Sequence, residues 1–340
     1  MHDHHIHLFA TAAALESVQC GPDEARDGAG LARALREHAR DARGWVRGVG
    51  YYESLAGEIE RHTLDAVRDD VPIRIQHRSG QLWMLNSCAI ALLDLDQDRQ
   101  TPSGVERDGA GRATGRIYRC DTWLRARLGP VAPPSLGEVS RRLTALGITG
   151  VTDATPSNGA AEVAAFAAAR ARGELSQRVI VMGTLALSDT LPPPGIEIGP
   201  VKIHLAESEL PDLDGVIATI RAAHARGRNA AIHCVTRVEL VFALAAYEAA
   251  GVRAGDRLEH VHVAPQICVA TIARLGLTVC ANDGLVRSRC ADWGRDLDLE
   301  DAAVIGRREV FEGAGIALLS GSDAPYGPLG DLVGSEPALL

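Results

Sequence analysis

Several features are missing from this 340-residue chain, and each absence removes a class of function. No apolar run approaches the roughly 20 residues of a membrane-spanning helix, and the start lacks the basic and apolar regions of a secretory signal. The seven cysteines, at 20, 88, 120, 234, 268, 280 and 290, are odd in number and include no Cys-x-x-Cys pair. Reduced thiols in a cytoplasm fit this better than a disulfide framework or a zinc ribbon. Excess positive charge is missing too. The formal charge of −9 argues against nucleic acid or an anionic membrane as the main partner and leaves a small molecule as the expected one. There is no Gly-x-Ser-x-Gly and no His-Glu-x-x-His, which disfavours a serine hydrolase and a zincin. Hydrophobic residues make up 46 % of the chain, enough for a sizeable core.

Past residue 145 a regular rhythm sets in. Short β-type runs at about Gly147–Asp153, Arg178–Met182, Pro200–Leu205, Ala230–Val235, Arg257–Val263, Leu277–Ala281 and Ile316–Ser322 end in small or polar residues. Between them Ala160–Arg172, Leu213–Arg226, Val238–Ala250, Pro265–Arg274 and Leu299–Gly313 repeat apolar residues at three and four, as helices do. Gly173, Gly227, Gly251 and Gly276 follow as stops. Pro192-Pro193-Pro194 replaces one outer helix by an irregular connection. With one more strand at the N-terminus the count reaches eight, which predicts an α/β fold, a (β/α)₈ TIM-like barrel formed by residues 1–8 and 146–340. Residues 9–145 break the rhythm. Gly44–Tyr51 and Pro72–His77 read as strands, Leu82–Leu93 as apolar or helical, Pro102–Thr114 as a polar loop, and Leu136–Leu146 as the helix returning to the barrel. An insertion after the first strand lies on the C-terminal face, so a lid or cap is its expected role.

Ligand-type residues fall on this framework one strand at a time. In His5-Ile6-His7 the period of two puts both imidazoles on the same side of a strand, where a divalent metal can be gripped. Lys202, His233, His260 and Asp323 each lie within or at the end of an apolar strand, where a barrel places its active site. Singly, a strand-end histidine is often a hydrogen-bonded core residue and an aspartate there a helix cap. Lys202 is harder to dismiss, because a lysine pointing into a barrel must lose its charge or find a partner. Together the six point to a metal site.

This ordered set resembles the amidohydrolase superfamily, with His-x-His on strand one, lysine on strand four, histidines on strands five and six and aspartate on strand eight. More narrowly it is similar to the amidohydrolase-3 group in Gly150–Ala154, in Val201-Lys202, in Gly321–Pro325 and in the Gln76–Ser87 stretch. The resemblance implies a hydrolase of non-peptide C–N bonds in an amide, N-formyl or cyclic amide substrate. His5, His7, Lys202, His233, His260 and Asp323 would hold one or two divalent ions per chain, with zinc favoured by the nitrogen-rich set. A carbamate on Lys202 would resolve its charge, and Asp323 would be the catalytic acid and base. His77, Trp83, Asn86, His262 and Asp283 are candidates for substrate contact. An ester, a phosphoester or a deamination substrate, or a metal-binding barrel without turnover, are the rival readings.

The chain departs from the resemblance at three places. No sequence is left before strand one or after Asp323 for the small β-sandwich usual in such families, which leads us to expect exposed barrel faces, a homo-oligomer or a truncated product. Tyr326–Leu340, rich in Gly and Pro, is expected to leave the last outer helix short or absent. The end of strand seven reads Ala281-Asn282-Asp283-Gly284, where many relatives carry Gln-Pro.

Overall fold

In the computed structural model eight parallel strands follow one another round a barrel: β1 His2–Ile6, β2 Gly150–Asp153, β3 Arg178–Gly183, β4 Ile196–His204, β5 Ala230–Cys234, β6 Arg257–His260, β7 Thr278–Ala281 and β8 Leu318–Ser320. The structure describes residues 1–98, 100–129, 131–305 and 308–332. Ladder pairing runs unbroken from β1 to β8, and among the described residues no ladder joins β8 back to β1. The seam is drawn together only beyond the end of β8, where Asp323 N donates to His5 O at 2.7 Å and His7 N donates to Ala324 O at 2.9 Å. The result is an incomplete (β/α)₈ barrel of the class expected.

Helices cover the outside because their apolar stripes need a partner. Ala160–Ala171, Leu213–Ala225, Arg237–Ala250 and Gln266–Leu275 lie within a residue or two of the sequence expectations. The start of Arg237–Ala250 shows how abruptly a strand can turn into a helix. Thr236 accepts from Glu239 N at 3.3 Å, and the Glu239 carboxylate accepts from Thr236 N and Val235 N, satisfying donors that the first turn leaves open. Against the sheet these helices bury Leu240, Leu244 and Tyr247 with Ile232 and Leu258. Each such side chain contributes roughly 1.5–3 kcal/mol. The Tyr247 hydroxyl, within 3.0 Å of the carbonyls of Ala230 and Arg257, is not left without a partner.

Within the barrel three expectations need correction. Asp283–Asp296 is a helix that the sequence did not announce, because its Asp, Arg and Gly residues obscure any apolar repeat. Leu299–Gly313 is not one helix: Leu299–Ala302 and Arg308–Gly313 are separate pieces, and residues 306–307 lie outside the described residues. β4 begins at Ile196, earlier than expected, since Ile196–Ile198 pair with Val179–Val181 despite a Gly199-Pro200 step in the strand. Where Pro192–Pro194 stand, only a short 3₁₀ turn, Leu185–Asp189, precedes the irregular connection. After β8 no helix occurs among the described residues, and 333–340 of the expected irregular tail lie outside them.

The chain divides into two compact units, residues 1–11 with 135–340, and residues 12–134. The second contains a six-stranded mixed sheet in the order Val18–Gln19, Val46–Tyr51, Ile73–His77, Leu82–Leu85, Ala113–Tyr118, Val105–Arg107. Leu82–Leu93 is thus a strand followed by the helix Ser87–Leu92, and Pro102–Thr114 includes a strand rather than loop alone. Val105–Arg107 is extended because it forms an antiparallel hairpin with Ala113–Tyr118, a pairing that its polar composition does not reveal. Cys20, Cys88, Cys234, Cys268 and Cys280 are free thiols. Among the described residues no helix is long and apolar enough to cross a membrane.

Candidate metal centre

The residues of interest gather at the C-terminal ends of the strands. His5 is the penultimate residue of β1, and His7 follows its end. Their Nε2 atoms converge on one carboxylate oxygen, Asp323 Oδ1, at 3.4 Å and 3.3 Å. Asp323 Oδ2 lies 3.9 Å from His260 Nδ1. The rings then continue round the mouth, with centroids 4.7 Å apart for His5 and His260, 4.5 Å for His260 and His233, and 4.4 Å for His233 and His204. Lys202 lies in the barrel interior, its Nζ 3.9 Å from Glu259 Oε2. Three of the six ligand candidates, His5, His7 and Asp323, are therefore in direct reach of one another, while His260 adjoins through His5 and Asp323, His233 through His260 and Lys202 through Glu259.

Backbone geometry aims two of these groups. His260 and Asp323 have φ of 73° and 55°, values that residues with a side chain rarely adopt. Such strain persists only where the surroundings impose it, and functional sites are where it collects. For Asp323 the imposing contact is its own N–H on His5 O. Gly321 permits that approach, because a Cβ there would lie 2.4 Å from His5 Cβ.

Burial sets the charge states. Desolvation, then the neighbouring histidines, holds His233 and His260 well below the ordinary imidazole value, and burial followed by the Lys202 charge lowers His5. Neutral imidazoles are what a cation requires as ligands. Burial would raise the Asp323 carboxyl, but the His7 and His5 imidazoles beside it bring it below its usual value. Burial pushes the Lys202 ammonium down towards its neutral form, with Glu259 opposing. Lys202 Nζ, His260 Nδ1 and Asp323 Oδ1 are buried with no hydrogen-bond partner among the described residues. Unsatisfied polar atoms clustered in this way are costly unless something else binds them. Neutral nitrogens and a carboxylate facing one point, with donors otherwise unused, fit a divalent cation.

The remaining site candidates divide. His262 is buried beside His260 and the Trp293 ring, and both its ring nitrogens are unpartnered among the described residues. Asp283 is tied to Arg308 at 2.7 Å, so its charge is already matched. A small cavity runs along His260, His262, Asn282, Asp283 and Arg308. His77, Trp83 and Asn86 belong to the other unit. His77 bonds Glu53 and Ser79, and Trp83 Nε1 donates to Asp121 at 2.9 Å. Asn86 is wholly buried, accepting from Ile73 N and Ala89 N and donating to the carbonyls of Arg68 and Val71. Its amide is fully used in joining a strand to a helix. Sequence reasoning missed Arg257, Glu259, Thr155 and His204. The signal for the first two was there, as a pair of charged residues two apart and so on one face of the strand.

Comparison with known proteins gives the family and the fold. The model of a family described as the amidohydrolase family matches residues 1–339. Among solved structures, an uncharacterized metal-dependent hydrolase from Pyrococcus horikoshii OT3 is similar at 20 % identity and a TM-score of 0.74, over 96 % of this chain and 71 % of that one. A second, from Pyrococcus furiosus and described in the same words, is similar at 19 % identity and a TM-score of 0.70, over 96 % of this chain and 73 % of that one. At such identities the likeness establishes the fold. No curated protein matches this chain.

Proposed function

Because this chain belongs to the amidohydrolase family, we propose that it is a metal-dependent hydrolase that cleaves a non-peptide C–N bond in an amide, N-formyl or cyclic amide substrate. The observation that carries the proposal is the convergence of His5 Nε2 and His7 Nε2 on Asp323 Oδ1, a buried oxygen with no hydrogen-bond partner among the described residues. His5, His7, Lys202, His233, His260 and Asp323 would hold one or two divalent ions, zinc being favoured by the preponderance of nitrogen. A divalent ion supplies activation of water at neutral pH and polarisation of the scissile carbonyl.

The protein's own groups do the rest. Asp323 removes a proton from the attacking water as the C–O bond forms, then delivers it to the nitrogen as the C–N bond breaks. Its two oxygens face different partners, Oδ1 towards His5 and His7 and Oδ2 towards His260, so it can bridge the attack and departure sides. Burial lowers the Lys202 ammonium, the direction that favours the free amine that addition of carbon dioxide requires. As a carbamate it would present oxygens in place of a cation. His262, with both nitrogens available beside His260, is the best placed of the substrate-contact candidates.

The deciding experiment is a hydrolysis screen of zinc-loaded protein against N-acyl, N-formyl and lactam compounds. Turnover that chelation abolishes and zinc restores is the expected result. Absence of turnover on every C–N substrate, with turnover on an ester or phosphoester, would reassign the reaction.

A further inference from the structure

Strand β6 carries Arg257 and Glu259 two residues apart, so both side chains face the barrel interior. Glu259 has no exposed surface and is approached by three groups: Arg257 Nε at 2.5 Å from Oε1, His5 Nδ1 at 2.5 Å from Oε2, and Lys202 Nζ at 3.9 Å from Oε2. Arg257 in turn donates from Nη2 to His4 O at 2.9 Å, which ties β6 to β1 across the barrel. Removing a carboxylate from water costs several kcal/mol unless cations and donors replace the lost hydration. The arrangement around Glu259 does so, and a carboxylate paired with a guanidinium only accepts hydrogen bonds.

An accepting Oε2 requires the proton of the His5 ring to sit on Nδ1. The lone pair is then on Nε2, the atom that faces Asp323 at 3.4 Å. His7 repeats the pattern, with Nδ1 2.9 Å from Thr155 Oγ1 and Nε2 3.3 Å from Asp323. Thr155 is a neutral partner on a neighbouring strand end, whereas Glu259 is an anion locked in place by Arg257. The two rings are therefore not equivalent.

We infer that Glu259 is a positioning residue of the metal centre, fixing His5 as the Nδ1–H tautomer and strengthening Nε2 as a donor to the cation. The inference rests on the metal-centre reading proposed above. Outer partners of this kind typically change metal affinity by about 10–100-fold. Arg257 has a role in the same chain of contacts, since it keeps Glu259 oriented towards His5.

Two measurements test it. The first is zinc affinity, by competition with a chromophoric chelator, for the wild-type protein and Glu259→Gln. The expected result is about 10–100-fold weaker binding by the variant. Wild-type affinity in a folded Glu259→Gln protein would overturn the inference. Should that variant not fold, Glu259→Gln combined with Arg257→Met removes the buried cation as well and supports the same titration. The second is nitrogen NMR of ¹⁵N-histidine-labelled, metal-free wild-type protein, with His5 assigned by loss of its signals in His5→Gln. An Nδ1–H tautomer is expected, and an Nε2–H tautomer would overturn the inference whatever the variants do. A wild-type protein that binds no zinc would instead refute the metal-centre reading, and the NMR result would still decide whether Glu259 sets the His5 ring.

Discussion

Asp323 Oδ1 lies 3.4 Å from His5 Nε2 although His5 is on the first strand of the barrel and Asp323 follows the last. The contact is imposed by the main chain, because Asp323 N donates to His5 O across the seam where ladder pairing is absent. The link that draws the barrel together and the pairing of two proposed metal ligands are thus one feature.

Asp323→Asn separates binding from proton transfer. Asparagine keeps the size and one oxygen acceptor but loses the basicity. Metal content by elemental analysis should stay near normal while kcat falls at least about a hundredfold. Turnover at the wild-type rate would remove Asp323 from its proposed role.

Protein purified without chelators should contain one or two divalent metals per chain. Stripping them should lower the thermal midpoint, and adding zinc should restore it, since a ligand that binds only the folded state stabilises it. Metal-free protein that neither binds zinc nor gains stability from it would contradict the proposed centre.

Lys202→Ala should lose metal, because it removes a ligand whose Nζ has no other hydrogen-bond partner among the described residues. After chelation, activity of the wild-type protein should recover better with zinc and bicarbonate than with zinc alone. Full metal content and activity in Lys202→Ala would make the lysine structural.

Gly321→Ala should destabilise the protein by about 1–3 kcal/mol, the usual cost of overpacking. The added Cβ would sit 2.4 Å from His5 Cβ and 2.7 Å from His5 N, and the backbone contact has little freedom to yield. Chemical denaturation measures the loss, and zinc affinity should fall with it as β1 is pushed from β8.

Asn86→Ala should destabilise residues 12–134. It deletes a helix cap, worth about 1 kcal/mol, and strands the buried Ile73 N that the side chain satisfies. Hydrogen exchange should rise within those residues, with zinc affinity unchanged; exchange confined to other parts of the chain would count against this role.

Much of this was legible in the sequence, and for a physical reason. Seven barrel strands and four outer helices were readable because each is an apolar run whose period local geometry dictates, with Gly173, Gly227, Gly251 and Gly276 as stops. His5, His7, Lys202, His233, His260 and Asp323 stood out because ionisable groups in such runs need a reason to be there. The helix Asp283–Asp296 did not, since nothing in its polar composition marks a period. In the sheet of residues 12–134 only Val46–Tyr51 and Ile73–His77 stood out, its other strands being only two to six residues long.

The sequence by itself determined which residue types each strand end presents, because alternation along a strand is a property of the local backbone. Only the tertiary structure decided which atoms face one another. Glu259 and Arg257 became partners of His5 and His4 through strand packing across the barrel. Asn86 became a structural link through burial within its own unit. The two histidine Nε2 atoms met one oxygen because the seam brings Asp323 beside β1. The barrel contacts among them join segments far apart in the chain, and no local pattern encodes them.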